Sequence, residues 1–427
     1  MAALDSNPTA ALRVELVAIG DELLLGQTQD SNSAWLASEL AAIGSVVTRR
    51  TAVGDDEAAI RQAIAEALDR TGAVIATGGL GPTPDDVTRE AVAALFGAAL
   101  VFDAGVWDAI RARWQRRGRS AEPPESNKVQ AMVPKGALVL HNPEGTAPGL
   151  FLQDPRGRWV ALLPGVPREM RAIYTQRLLP LLQDRFPSGD RVVRWRVLRT
   201  TGVAESRLVE ILSGLTLEDG LKLAFLPGPE GVDLRVTVSG LPAAAAERLL
   251  ESAASSMRER LGSYVYALGR EDLAGVVLDL CRRQQLSLSV AESCTGGLLG
   301  ERLTSIAGSS DVFVGGVVAY SNRVKVRELG VPPELLERVG AVSEEVALAM
   351  AEGVRDKLGT RVAIGITGIA GPTGGTPDKP VGTVCIAVVA PGWRRSFRSW
   401  FPGDRAEVRF RASQAALDAL RRRLIGE

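Results

Sequence analysis

The stretch Ser289–Leu303, SVAESCTGGLLGERL, ends an apolar run at Glu292. It then places Ser293, Cys294 and Thr295 ahead of two glycines and a segment with Leu298, Leu299 and Leu303 at helical spacing. A strand that turns into a helix here presents a hydroxyl and a thiol where the helix's free N–H groups point. That is a setting for a nucleophile. The chain has one histidine, His141, far away in sequence, so a Ser-His-Asp triad is not expected. The G-x-S-x-G pattern is missing too, because Ala291 and Thr295 stand where its glycines would be. A Ser-Lys or Ser-Tyr-Lys arrangement remains, and VVAYSNRVKVRELG at the next strand end supplies Tyr320 and Lys325. A lysine acts as a base only when neutral. Burial, Arg323 or a cationic substrate would have to bring its pKa down from about 10.4. Tyr320 would relay the proton or hold the serine hydroxyl, and the N–H groups of Thr295, Gly296 and Gly297 would face an oxyanion. The plainer reading of Ser293 is a helix cap. Cys294 reads as a buried neighbour, since it has no histidine partner.

A second group of residues sits in the first third of the chain, at GDELLLG, VGDD and TGGLGPTPDDVT. Gly78, Gly79 and Gly81 would let the backbone approach a phosphate. Pro84 stands where a Rossmann fingerprint needs its third glycine, and no Gly-Lys-Ser/Thr follows for a Walker loop. Asp21, Glu22, Asp55, Asp56, Asp85 and Asp86 offer only oxygen ligands, which favours a hard divalent cation bridging to phosphate. The competing reading is that Asp30, Asp55 and Asp86 start helices.

The elements that position both groups alternate in type. RVELVAIG, SVVTRRTAVG and AVIATGG read as strands, separated by helices that start at acidic residues and stop at glycines. This predicts a parallel sheet with helices on both faces, followed by short strands at ALVL and WVALLPG, for residues 1–172. Residues 173–266 read strand–helix–strand–strand–helix–strand, a small α+β domain acting as a spacer or dimer contact. From 267 to 427 the α/β alternation resumes, with strands at the Ser289 segment, VFVGGVVAYS, RVAIGITGIAG and VGTVCIAVVA. The Gly/Pro loop within Gly365–Val384 has the length of a binding loop, and FPGDR adds Arg405, suited to a phosphate.

Lys plus Arg and Asp plus Glu are equal at 50 each, which gives no electrostatic reason for nucleic acid or an anionic membrane as partner. The basic runs RARWQRRGR and RRRLIG read as solvated helix faces. Three widely spaced cysteines make no disulfide framework and fit a reducing compartment. The start MAALDSNPTAAL lacks signal-peptide features and no run is long enough to span a membrane, so a cytoplasmic location is expected.

The motifs together resemble the CinA family (competence/damage-inducible protein A) over nearly the full length. TGGLGPTPDDVT, NKVQAMVPKGA, NPEGTAPG and LPGVPREM are similar to the molybdopterin-binding fold. AESCTGG, AGSSDVF, YSNRVK, GAVSEEVA, GIAGPTGG, KPVGTV and FPGDR are similar to nicotinamide-nucleotide amidase. The resemblance implies a C-terminal domain that deamidates nicotinamide mononucleotide without a cofactor, with Ser293 as nucleophile and Tyr320 and Lys325 as its partners. Substrate contacts would come from Thr295, Gly296, Gly297, Ser310, Asn322, Gly371 and Arg405. It implies an N-terminal ADP-ribose pyrophosphatase using Mg, Mn or Co. Asp55 and Asp86 are its best candidate metal ligands, followed by Asp21, Asp85 and Glu22, with Asn32, Gly79 and Gly81 at the nucleotide. The alternative is an N-terminal domain that holds a nucleotide or pterin without turnover. A homodimer is expected, with no nucleic acid or membrane partner.

Overall fold

The computed structural model describes residues 12–116, 122–186 and 191–427. The MAALDSNPTAA start and Arg117–Arg119 of the first basic run lie outside them. The chain divides into two compact units, residues 1–194 with 238–247, and residues 195–237 with 248–427.

In the first unit the strands are β1 (Arg13–Ile19), β2 (Val46–Val53), β3 (Ala73–Thr77), β4 (Leu100–Phe102), β5 (Met132–Pro134), β6 (Leu138–Leu140), β7 (Gly149–Gln153) and β8 (Trp159–Leu163). Six of them form one sheet in the order β2-β1-β3-β8-β7-β6, and β4 pairs with β5. The pairs around β1, β3 and β8 are parallel, whereas β8–β7 and β7–β6 are antiparallel. The sheet is therefore mixed, with its parallel part where the sequence reads β-α-β. Every residue of β3 and β8 is buried, as strands covered on both faces require. Alternation splits β1 between two cores. Val17 and Ile19 pack with Ile60 and Ile64, while Val14 and Leu16 pack with Leu36 and Leu40. The antiparallel β7, GLFLQ, escapes a search for alternation because four of its five residues are buried.

The expected boundary at 172 falls inside a helical run that begins at Pro167 and ends at Arg185. Its Met170, Ile173, Leu178 and Leu182 pack in the same core as β1, so the first unit continues beyond that point.

The small α+β domain lies mostly in the second unit. β9 (Arg191–Thr200), β10 (Leu221–Gly228), β11 (Gly231–Pro242) and β12 (Val265–Leu268) form a sheet in the order β10-β11-β9-β12, with helices Glu205–Leu212 and Ala243–Leu261 in the expected sequence positions. The C-terminal sheet then runs β14 (Phe313–Val318), β13 (Leu288–Glu292), β15 (Val362–Gly368), β16 (Thr383–Ala390), β17 (Trp393–Trp400). β13 is parallel to both neighbours, and β15, β16 and β17 are antiparallel. β17, WRRSFRSW, was not expected as a strand. It is an edge whose arginines face solvent, and a charged edge hides the apolar signal. Helices Leu273–Arg283 and Arg405–Leu424 share one core with β13, β15 and β16, and Glu344–Leu358 packs into a second.

The C-terminal basic run departs from a solvated face. Arg421 is buried, and its guanidinium donates to Asp418 Oδ1 and the Ser263 carbonyl. Among the described residues no helix is long and apolar enough to cross a membrane.

Candidate active site

β13 is buried along its whole length, and its last residue, Glu292, turns inward. The Glu292 carboxylate accepts from the N–H groups of Gly297 (3.0 Å), Leu299 (3.0 Å) and Gly300 (2.8 Å). It therefore satisfies the orphan donors of the helix Leu298–Thr304, which has no side-chain cap at its own start. Gly296 and Gly297 both hold positive φ, which lets the chain reverse between strand and helix. Ser293 is thus not the cap of this helix. Its hydroxyl is left over for something else.

That something is Lys325. The helix Asn322–Leu329 is capped by Ser321, whose Oγ accepts from Val324 N, and one turn in it aims Lys325 into the domain. Lys325 is only 1% exposed, and its Nζ lies 3.0 Å from Ser293 Oγ. Nζ also donates to the carbonyls of Ala319 (2.9 Å) and Tyr320 (3.4 Å). Burial lowers the Lys325 pKa, opposed by the neighbouring Cys294. Cys294 itself is 5% exposed, and burial pushes its thiol up to about 12, leaving it protonated beside the serine.

Ser293 and Lys325 open on a pocket of about 200 Å³ whose lining includes Tyr320, Asn322, Thr367 and Arg405. Tyr320 is 63% exposed, and its hydroxyl accepts from Arg405 (3.1 Å). It stands at the mouth, held by Arg405, and its contact with Lys325 runs through the backbone carbonyl. Arg405 also donates to the Gly371 carbonyl (2.7 Å), which ties the long loop to the helix Arg405–Leu424. Of the expected substrate contacts, Asn322 and Arg405 line the pocket. Ser310, on the turn Ser309–Asp311, is not among its lining residues. The expected oxyanion donors are largely spent. Gly296 N–H donates to Ser293 O and Gly297 N–H to Glu292. Two residues of this site escaped the sequence reading. Glu292 looked like the end of a strand, and Arg409, one turn beyond Arg405, holds the Thr295 carbonyl with two donors at 3.0 and 2.7 Å.

The first unit presents its carboxylates differently. Asp21 N–H donates to Asp55 Oδ2 (2.9 Å) and Asp55 N–H to Asp21 Oδ1 (3.2 Å), a reciprocal clasp between two strand ends. Burial raises the Asp55 pKa. The Asp21 N–H works against that, and the charges of Asp21, Glu22 and Asp85 add to it. Asp86 accepts from Gly81 N–H (2.7 Å), Thr83 N–H (2.8 Å) and the Thr83 hydroxyl (2.5 Å), so it folds its own loop. A Cβ at Gly81 would meet the Asp86 carboxylate, and one at Gly79 would meet Thr88 Oγ1, so both glycines serve the loop's closure. Asn32 donates to the Gly165 carbonyl (2.7 Å). The helix caps are Asp30 and Asp56 rather than Asp55 or Asp86. Among the described residues no three His, Cys, Asp or Glu side chains converge to hold a metal ion. The donor chemistry suits a hard cation, and an ion held by Asp21 and Asp55 would need its remaining oxygens from a phosphate or water.

Three family models cover the chain. The probable molybdopterin binding domain matches residues 15–184, the damage-inducible protein CinA KH domain 195–267, and the CinA C-terminal domain 270–424. A CinA-like protein of Gemmatimonas aurantiaca is 55% identical over 411 residues, 96% of either chain. A CinA-like protein of Salinibacter ruber is 43% identical over 97% of this chain and 100% of its own. Among solved structures, a competence/damage inducible protein from Agrobacterium tumefaciens is 41% identical over 35% of this chain and 91% of its own, with a TM-score of 0.34.

Proposed function

This chain belongs to the CinA family over almost its whole length, and on that premise we propose that its C-terminal domain is a nicotinamide mononucleotide amidase. The observation that carries the reading is the buried Lys325 amine 3.0 Å from Ser293 Oγ, in a unit that contains no histidine. A neutral amine has two hydrogens and one lone pair. The Ala319 and Tyr320 carbonyls take the hydrogens, so the lone pair faces the serine hydroxyl. Ser293 Oγ attacks the carboxamide carbon and its proton passes to Lys325. When the C–N bond breaks, the departing nitrogen takes that proton and leaves as ammonia. Water then attacks the acyl-serine ester and gives a proton to Lys325. Lys325 returns it to Oγ as nicotinate mononucleotide departs.

The pocket of about 200 Å³ is smaller than the roughly 300–1,000 Å³ typical of sites that enclose a drug-sized ligand. It suits the pyridine carboxamide, with the ribose phosphate at the mouth beside Arg405 and Asn322. The ring's positive charge, close to Nζ, helps keep Lys325 neutral. No metal enters the chemistry. The test is ammonia release from nicotinamide mononucleotide without added metal. Wild type is expected to turn over and Ser293→Ala to be inactive. An active Ser293→Ala protein would overturn the assignment.

A second reading applies to the N-terminal domain: it binds a nucleotide or pterin without hydrolysing it. The loop-holding hydrogen bonds of Asp86 and the Asp21–Asp55 clasp favour this over ADP-ribose hydrolysis assisted by Mg, Mn or Co. ADP-ribose is expected to bind and to stay intact with each metal. Turnover that disappears in EDTA would restore the pyrophosphatase reading.

A further inference from the structure

The second unit holds another cleft, of about 480 Å³, that shares no lining residue with the Ser293 pocket. Its walls are the β10–β11 hairpin loop at residues 227–232, the turn before the helix Glu205–Leu212, Phe397 on β17 with the neighbouring Phe401, and one face of the helix Arg405–Leu424. Arg411, Ala415, Asp418 and Arg422 on that helix follow one another at spacings of four, three and four residues, so they share a face. From elsewhere on the same helix, Arg409 holds the nucleophile's turn and Arg405 holds the Tyr320 hydroxyl.

Most of the polar lining is already partnered. Gln414 donates to the Glu230 carbonyl (3.0 Å) and accepts from Arg302 (2.8 Å). Asp418 is held by Arg421 and Arg422, and Glu230 pairs with Arg199. Two guanidiniums are left. Arg395 lies over the Phe397 ring at 5.6 Å and, among the described residues, pairs with no carboxylate. Arg411 has none either, and its Nε is shut off from solvent without an acceptor. Neither guanidinium has its charge neutralised by a carboxylate within the cleft. Glu205, the remaining lining carboxylate, is solvent-exposed. The half-buried rings of Phe397 and Phe401 add flat apolar surface next to the two charges.

We propose that this cleft is a binding site for a nucleotide-class small molecule: a phosphate held by Arg395 and Arg411, and a planar ring resting on Phe397 and Phe401. Guanidinium forks match phosphate oxygens, and aromatic faces take a base regardless of its identity. The volume lies inside the roughly 300–1,000 Å³ range of small-molecule sites.

The test uses the full chain, 8-azido-adenosine 5′-monophosphate as photoprobe, and mapping of the labelled tryptic peptides. Peptide 223–235, which carries the hairpin loop, belongs to neither the Ser293 pocket nor the N-terminal loops, so its labelling is diagnostic. It is expected to be labelled, and half-saturation is expected to need on the order of tenfold more probe in Arg411→Ala and in Arg395→Ala, as loss of one charge-assisted contact predicts. Arg395 is exposed, so its substitution spares the fold. Ala415→Trp, which fills the cleft, should abolish the label, and Arg405→Ala should leave it intact. The proposal is overturned if label appears only outside peptide 223–235, if 8-azidoadenosine labels that peptide equally well, or if both arginine variants behave as wild type.

Discussion

The Ser293 turn and the Thr77–Thr88 loop are built alike and end differently. Each follows a fully buried strand with parallel neighbours, β13 or β3, and each uses glycines and one carboxylate to leave it. In the first, Glu292 on the strand itself absorbs three backbone donors, so the serine after it keeps its hydroxyl free to meet Lys325. In the second, no residue of the strand does this. Asp86, one of the two best candidate ligands, commits both oxygens to Gly81 and Thr83. A site needs groups whose hydrogen-bonding capacity is not consumed by the loop that presents them. Two loops with similar residue types can differ completely in that respect.

The sharpest way to break this comparison is to remove the unspent capacity. Lys325→Met should lower ammonia release about 10³-fold, since a positioned base contributes at that order. As the proposed base, Lys325 would act only when neutral. Its burial-lowered pKa means that kcat/KM should rise with pH along a limb whose midpoint lies below the ordinary lysine value of 10.5. A flat profile across that limb would remove Lys325 from the proton path.

Next in size is the contrast between the two loop-holding carboxylates. Glu292→Ala strands three buried or half-buried donors and should cost about 3 kcal/mol in urea unfolding. Asp86→Ala, in a more exposed loop, should cost about 1–2 kcal/mol and leave ammonia release unchanged. Equal costs would mean that the two loops are not held differently.

A smaller effect is expected at the pocket mouth. Arg405→Ala should raise KM for nicotinamide mononucleotide by about tenfold, the scale of one lost charge-assisted contact, with kcat little changed. A loss confined to kcat would move Arg405 from substrate binding to chemistry.

The smallest concerns Asp55. Its pKa is raised in the folded state, so its ionisation opposes folding. The unfolded chain gives up its proton first, and stability falls as pH rises through the carboxylate range. Asp55→Asn keeps an acceptor for the Asp21 N–H and should stabilise the protein at pH 7 by no more than about 0.5 kcal/mol, because the site is largely open to solvent. A clear destabilisation would show that the charge is needed where it stands.

Much of this was legible in the residues. Strand–helix alternation placed β1, β3 and β13. The glycine stops marked helix ends, as at Gly72 with its left-handed φ. The lack of a second histidine led from Ser293 to Lys325, because few other side chains can take a proton. Tyr320 was drawn to the serine by its place in sequence, whereas its phenol turns out to Arg405. The carboxylates of the first unit were counted as ligands because sequence gives residue types. Whether an oxygen is already occupied depends on backbone N–H groups that only a folded loop brings within 3 Å. β17 and the phenylalanine-lined cleft behind it were missed for a related reason: charged edge residues look like a solvated segment until the neighbouring strand is in place.

The sequence by itself determined the periodicities, the candidate nucleophile and the absence of an ordinary histidine base, since these depend on residue type and spacing alone. The tertiary structure decided the burial that lowers the Lys325 pKa and raises that of Cys294, the inward turn of Glu292 and the unpaired state of Arg411. Each of these depends on desolvation or on which groups the folded chain brings together, and both arise only when the elements pack.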